Sequence, residues 1–346
     1  MKKLPIGIQT FSEIINEDYL YIDKTGIAYS LIDRFKYVFL SRPRRFGKSL
    51  FLDTLHNIFE GNRELFRGLL IEFAGTVADT NSSLFTAGQR VTGNPLITCG
   101  HCEYCLQGRN NLCANRTMVG MTRPGAFAQF MSIPASSLIA IPAGLSLDAA
   151  ALTEPAATAV HAINLSMRAL QRPIQECRVL ILGGGAIGML SALLLKHYGV
   201  DDLTVAEVNP LRREAIEKYV GCKTINPIDE KLAENSYEFV MDCVGAIVTR
   251  NTALAAVKPG GVMMHVGLQD WASEIDMRKL TLAEITLLGT YTYSTVDLQA
   301  TVNLLARHAF GNLAWVETRS LDDGPQAFND LHAGKTAAAK VLLKPF

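Results

Sequence analysis

Apolar and polar positions alternate in three different ways along the chain. Between residues 153 and 291, short apolar runs are separated by alanine- and leucine-rich stretches with helical spacing. The runs are CRVLIL (177–182), LTVAEV (203–208), YEFVMDCVG, GGVMMHVGL and ITLLGTY. This order predicts βαβ units, and therefore a parallel sheet covered by helices. From 72 to 152 the runs are shorter and broken by Gly, Pro and Asn, an all-β pattern. Residues 1–71 are rich in aromatic and basic side chains, and 292–346 pair one helix, in STVDLQATVNLLARHAF, with short strand-like pieces. The junction near residue 71 has no Pro/Gly/Ser spacer, unusual for a domain boundary.

The first run of the βαβ region carries candidate chemistry. Gly183, Gly185 and Gly188 form G-x-G-x-x-G directly after a predicted strand, and Ala186 and Ile187 open the following helix. The first glycine permits a tight turn, the second lets a pyrophosphate approach the backbone, and the third lets helix and strand pack closely. The helix N-terminus then faces the phosphates. Glu207 ends the next strand about twenty residues on, where an acid accepts the adenosine ribose hydroxyls and repels a 2′-phosphate, favouring NAD over NADP. Arg212 and Arg213 follow closely; they either contact a phosphate or are ordinary surface helix residues. The loops after Asp242 and Val266 belong at the carboxyl edge of the sheet, where ligands bind in such folds.

Seven cysteines are present, and CGHCEYCLQGRNNLC holds four: Cys99, Cys102, Cys105 and Cys113. C-x2-C-x2-C-x7-C lets a tight loop wrap one ion, and four thiolates leave no open position, so the expected zinc site is structural. Disulfides and an iron–sulfur cluster are the competing readings. His101 is superfluous to a filled site and is expected to face solvent. Charge is balanced at 33 basic and 33 acidic residues, which gives no reason to expect nucleic acid or an anionic membrane as partner. The start, MKKLPIGIQTF, has no apolar run long enough for a signal peptide, and no apolar run of about 18 residues is present, so neither a leader nor a membrane-spanning helix is expected. A soluble cytoplasmic protein is the expectation.

With this lobe beside the dinucleotide pattern, the chain from Glu72 onward resembles the medium-chain zinc-dependent dehydrogenases, through EFAGTV, GQRV, the four cysteines, GAFAQF, TEPAATAVHA, GGGAIG and KPGGVMMHVG. TEPAATAVHA is similar to a segment of the polyol branch. The resemblance implies an α/β fold with a doubly wound Rossmann sheet (153–291), a GroES-like barrel domain (72–152) and a C-terminal return to that domain (292–346). It also implies NAD-linked oxidation of a secondary alcohol or polyol, and a homo-oligomer.

The same resemblance exposes a gap. The family holds a second, catalytic zinc through a cysteine and a Gly-His-Glu segment, and an open position on that ion polarises the alcohol. Here Gly-His-Glu aligns with Leu70-Ile71-Glu72, and no cysteine precedes Cys99, so the barrel domain is expected to be incomplete. Glu72 and Glu154 are the carboxylates left as candidate catalytic residues. Glu154 is read either as a metal ligand or neighbour of one, or as an acid at a helix N-terminus. His161 is expected to be a packed helix residue, and His56 is the remaining histidine that could join the two acids.

Upstream, YVFLSRPRRFGKSLFLDTL places Gly47, Lys48 and Ser49 after a predicted strand, as the tail of a phosphate-binding loop; the opening glycine is replaced by Arg42. Residues 1–71 resemble the N-terminal part of a bacterial ATPase-like family carrying R-P-R-R-F-G-K-S, a short α/β fragment. A basic surface patch is the alternative reading of RPRR. The expectation is therefore a dehydrogenase by descent with its catalytic zinc site disrupted, fused to an ATPase-like fragment. The alternatives are a non-catalytic protein binding NAD and zinc, and an ATPase-like module.

Overall fold

The computed structural model describes residues 73–345. The first segment, with Gly47, Lys48, Ser49, His56, Ile71 and Glu72, lies outside the described residues.

A small β-region comes first. Strands β1 (Ala74–Thr76), β2 (Arg90–Gly93) and β5 (Leu138–Ala140) form an antiparallel sheet in the order β1-β2-β5. Strands β3 (Leu96–Ile97) and β4 (Thr117–Met118) form a separate pair that brackets the cysteine loop and the short helix α1 (Glu103–Leu106). The all-β pattern suggests more pairing than this. GAFAQF lies in a stretch, 124–134, without regular structure. A strand persists only where its N–H and C=O groups find a neighbouring strand, and among the described residues none pairs with this stretch. Phe130 is left 74% exposed, while Phe127 meets the Phe328 ring edge-on at 5.9 Å.

Helix α2 (Leu147–Ala151), capped by the Ser146 side chain, and α3 (Thr153–Ala169) meet at Leu152, which is fully buried. The sequence-based division at 152/153 thus falls on a buried joint.

Beyond it lie β6 (Val179–Leu182), α4 (Ala186–His197), β7 (Leu203–Ala206), α5 (Pro210–Val220), β8 (Lys223–Ile225), β9 (Tyr237–Asp242), α6 (Ile247–Ala256), β10 (Val257–His265), α7 (Met277–Leu282) and β11 (Thr286–Gly289). The six strands form one parallel sheet, β11-β10-β9-β6-β7-β8. The chain winds outward from β6 to β8, then returns to lay β9 on the other side of β6. The reversal leaves a crevice at the carboxyl ends of β6 and β9, the usual ligand position of a doubly wound sheet. Every residue of β6 is buried, as expected for a strand covered on both faces.

Helix α8 (Thr295–Ala306) packs on α3, and β12 (Val316–Ser320) and β13 (Lys340–Lys344) form a parallel pair around α9 (Gly324–His332). Asp297 ties α8 to α3: its Oδ2 lies 2.7 Å from His161 Nδ1 and its Oδ1 accepts from Asn164 at 3.0 Å. Lys344 Nζ donates to Asp148 at 2.9 Å, returning the C-terminal strands to α2. Among the described residues no helix is long and apolar enough to cross a membrane.

Candidate dinucleotide and metal sites

The glycine loop joins β6 to α4. Gly183 adopts φ +95°, a left-handed backbone that turns the chain off the strand. A Cβ at Gly188 would lie 1.9 Å from the Gly183 carbonyl oxygen, so this glycine is required by helix–strand packing. Gly185 meets nothing within 4 Å, leaving open space over the loop, and as N-cap of α4 it offers no side-chain cap. The first N–H groups of the helix are therefore open to an anion. These features fit a pyrophosphate; Ala186 and Ile187 stand in the first turn behind it.

Glu207 follows β7 and is 6% exposed. Its Oε2 accepts from the Gly184 N–H at 2.6 Å and its Oε1 from the Asn209 N–H at 2.7 Å. Each oxygen retains a further acceptor site, so the carboxylate still fits a ribose diol. Asn209 caps α5, accepting from the Leu211 N–H, and Pro210 and Gly221 (φ +70°) open and close that helix. Structure separates the two arginines. Arg213 donates to the backbone carbonyls of Glu207 and Val208, both at 2.8 Å, and is occupied in holding the turn. Arg212 makes no such bond to the turn carbonyls, and its buried Nε has no hydrogen-bond partner.

Across the crevice, the loops after β9 and β10 pack backbone against backbone. A Cβ at Gly245 would stand 1.9 Å from the Gly267 oxygen. Asp242, fully buried, secures this arrangement: Oδ1 accepts from Val244 and Gly245, and its own carbonyl accepts from Val266 at 2.9 Å. Val266 is thereby held at the sheet edge. His265 Nδ1 stands 3.4 Å from Asp242 Oδ2, a neighbour set by strand register and invisible in the linear sequence.

The four cysteines converge. Their sulfurs all lie within 4.8 Å of one another, with Cys99 3.6 Å from Cys113 and 4.0 Å from Cys105. A tetrahedral zinc with Zn–S of about 2.3 Å requires sulfurs about 3.8 Å apart, which this arrangement matches. The sulfurs are too far apart to be bonded, and all four cysteines are free. So compact a set admits a single ion rather than a multi-iron cluster. The Cys102 N–H points at Cys99 Sγ at 3.4 Å, a donor that favours the thiolate. Backbone hydrogen bonds at His101 and Cys102 pull the Cys99 thiol down to about 6, and these outweigh burial. His101 itself is exposed, its Nδ1 2.8 Å from the Cys99 carbonyl. The lobe is anchored by two asparagines that sequence reasoning did not single out. Asn111 donates to the Tyr291 carbonyl at 2.9 Å, and Asn110 accepts from the Thr295 N–H at 2.9 Å.

Glu154 lies in the first turn of α3, 2% exposed. His161 is on the same helix but engaged with Asp297, so the structure does not bring it into a metal-ligating group. Among the described residues, the cysteines are the one group of three or more His, Cys, Asp or Glu side chains placed to share an ion.

A switch-point crevice, a glycine cradle and a four-thiolate lobe on one chain combine a dinucleotide-type fold with a group that could hold a metal ion. Residues 53–143 match the alcohol dehydrogenase GroES-like domain and 186–307 the zinc-binding dehydrogenase domain. Over these two matches the chain is similar to the zinc-dependent medium-chain dehydrogenases, and its residues 5–85 match a predicted AAA-ATPase family, which supports a fusion of the two. The two N-terminal matches overlap between residues 53 and 85.

L-threonine 3-dehydrogenase of Photobacterium profundum is 33% identical over 230 residues, covering 64% of this chain. The chain spans 65% of that relative's length. Among solved structures, a zinc-binding dehydrogenase of Sinorhizobium meliloti 1021 bound to NADP superposes with a TM-score of 0.70 at 28% identity, covering 79% of this chain and 82% of that one. L-idonate 5-dehydrogenase of Escherichia coli superposes with a TM-score of 0.70 at 27% identity, covering 79% and 80%.

Proposed function

We propose that this chain is an NAD-linked, zinc-containing dehydrogenase of the polyol and secondary-alcohol type whose catalytic zinc site is disrupted. The observation that carries the reading is the glycine loop with a carboxylate fixed beside it at the switch point of the sheet. Gly183, Gly185, Ala186, Ile187 and Gly188 would seat the pyrophosphate, Glu207 the adenosine ribose, Arg212 the adenosine end and Val266 the nicotinamide end. NAD, when bound, supplies the hydride acceptor. Cys99, Cys102, Cys105 and Cys113 would hold one structural zinc, which cross-links the lobe.

The substrate class follows the names of the relatives. L-Threonine 3-dehydrogenase and L-idonate 5-dehydrogenase both denote oxidation of a secondary alcohol carbon. On this reading residues 72–152 and 292–346 form the alcohol-binding half, 153–291 the dinucleotide half and 1–71 an ATPase-like fragment, in a cytoplasmic homo-oligomer.

The disruption is argued from donor chemistry. Ile71 stands where the family has its histidine, and no cysteine precedes Cys99. Glu72 and Glu154 alone are a poor set for a catalytic zinc. Without a Lewis acid beside it, the alcohol keeps a pKa far above neutrality. Losing about 4 kcal/mol of alkoxide stabilisation slows the step roughly a thousandfold.

Steady-state assays across threonine, idonate and other polyols, with added zinc and parallel NADH titration, test this. NADH binding with turnover barely above background is the expected result. Turnover of ordinary size, abolished by Glu154→Gln, would show a rebuilt metal site and overturn the disrupted-site reading. A second reading, a non-catalytic NAD- and zinc-binding protein, is favoured by the same Ile71 and predicts no turnover at all.

A further inference from the structure

Gly184 is a glycine for a different reason from its neighbours. Gly183 needs its left-handed backbone, and Gly188 has no room against the Gly183 carbonyl. Gly184 is not among the residues with positive φ, so its backbone admits any side chain. What excludes one is Ile216 and Glu207. A Cβ at 184 would stand 2.6 Å from Ile216 Cδ1 and 3.1 Å from both Cγ and Oε2 of Glu207.

The two neighbours differ in how they can respond. The Ile216 methyl is the end of a side chain and yields by repacking, although Ile216 is fully buried. Glu207 is pinned at both oxygens, by the N–H of Gly184 itself and by that of Asn209. Asn209 is fixed in turn, as the cap of α5 and by donating to the Gly334 carbonyl at 2.9 Å. A side chain at 184 therefore presses on the acid, which must give by a few tenths of an ångström against the two N–H groups that hold it.

We infer that Gly184 is a specificity-determining residue: lacking a side chain, it lets a glutamate fold back onto the glycine-loop backbone and stay there. This rests on the dinucleotide reading above. A carboxylate held by two N–H groups cannot swing away from an incoming 2′-phosphate, so the like-charge repulsion is kept, while its remaining acceptor sites serve ribose hydroxyls. Aspartate is one methylene shorter. It would not reach the Gly184 N–H, but neither would it collide with a Cβ at 184.

The test is a double-variant cycle on the full chain, reading NADH and NADPH dissociation constants by fluorescence titration. Gly184→Ala should lower the preference for NADH about tenfold, the size of one lost charge-assisted hydrogen bond. Adding Glu207→Asp to Gly184→Ala should cause little further loss, because the shorter acid does not rest on the residue-184 N–H. In the native background, Glu207→Asp alone should lower the preference by a similar factor, so the two losses are not additive. This single variant also decides the matter if Gly184→Ala does not fold: an unchanged preference would overturn the inference. So would equal losses for both cofactors in Gly184→Ala, which would make Gly184 a loop-former only, or losses from the two substitutions that simply add. Native protein binding neither cofactor would overturn the dinucleotide reading, and this inference with it. Native binding with an insensitive ratio would overturn this inference alone.

Discussion

On the proposed reading, the dinucleotide half and the alcohol half of this chain assemble their sites in opposite ways. The six strands of the parallel sheet, the glycine loop and Glu207 all come from one uninterrupted stretch, 179–289. The cysteine lobe is equally local, since its four sulfurs span only 99–113. A catalytic zinc in the alcohol half instead needs donors from well separated segments, and its upstream donors fall where the chain resembles another family. A site encoded in one contiguous run does not depend on the sequence before it. A site gathered from distant runs does.

The sharpest test of this independence is to disable each local site separately. Cys105→Ser should reduce bound zinc from about one per chain to near zero, because three thiolates no longer close the tetrahedron. Metal analysis reads this directly, and NADH affinity should be unchanged. A native value near two zincs would mean that the alcohol half holds a metal site after all. Coupled loss of NADH binding would show that lobe and sheet are not separable, with the Asn110 and Asn111 contacts as the carriers.

Gly188→Ala should do the converse. Its Cβ would press into the Gly183 carbonyl, and backbone, unlike a side-chain tip, cannot rotate away. A cost of about 3 kcal/mol or more is expected. NADH binding should be lost in titration while zinc content persists. A variant with native affinity would mean the loop and α4 can separate without disturbing the site.

The smallest effect concerns the clamp between α3 and α8. Burial raises the Asp297 pKa, but hydrogen bonds from His161, Ser294 and Asn164 outweigh it and hold the carboxyl at about 2. A carboxylate with a depressed folded-state pKa adds stability above its unfolded value, and loses it as pH falls toward about 2. Asp297→Asn should therefore cost about 1–2 kcal/mol near neutrality, discounted for partial exposure. The gap from native should close as the pH is lowered through that window, which denaturant titrations at several pH values would follow. A gap independent of pH would assign the cost to packing alone.

What was readable in the sequence and what was not follows from the range of the interactions. The strand–turn–helix of GGGAIG, the acid after β7 and the cysteine spacing were legible because a few consecutive residues set the backbone they need. Strand ends were overestimated: 203–208 reads as one apolar run, but β7 stops at Ala206, where Glu207 turns back to the glycine loop. The role of Gly184 was hidden for the same reason. In the sequence it is the middle of three glycines, and only its packing against Glu207, 23 positions away, shows why it lacks a side chain. His265 beside Asp242 depends on strand register, and Asn111 against Tyr291 on docking across 180 positions. Local spacing determined what chemistry this chain carries; tertiary packing decided which groups are pinned, because a contact between distant residues exists only after the sheet has brought them together.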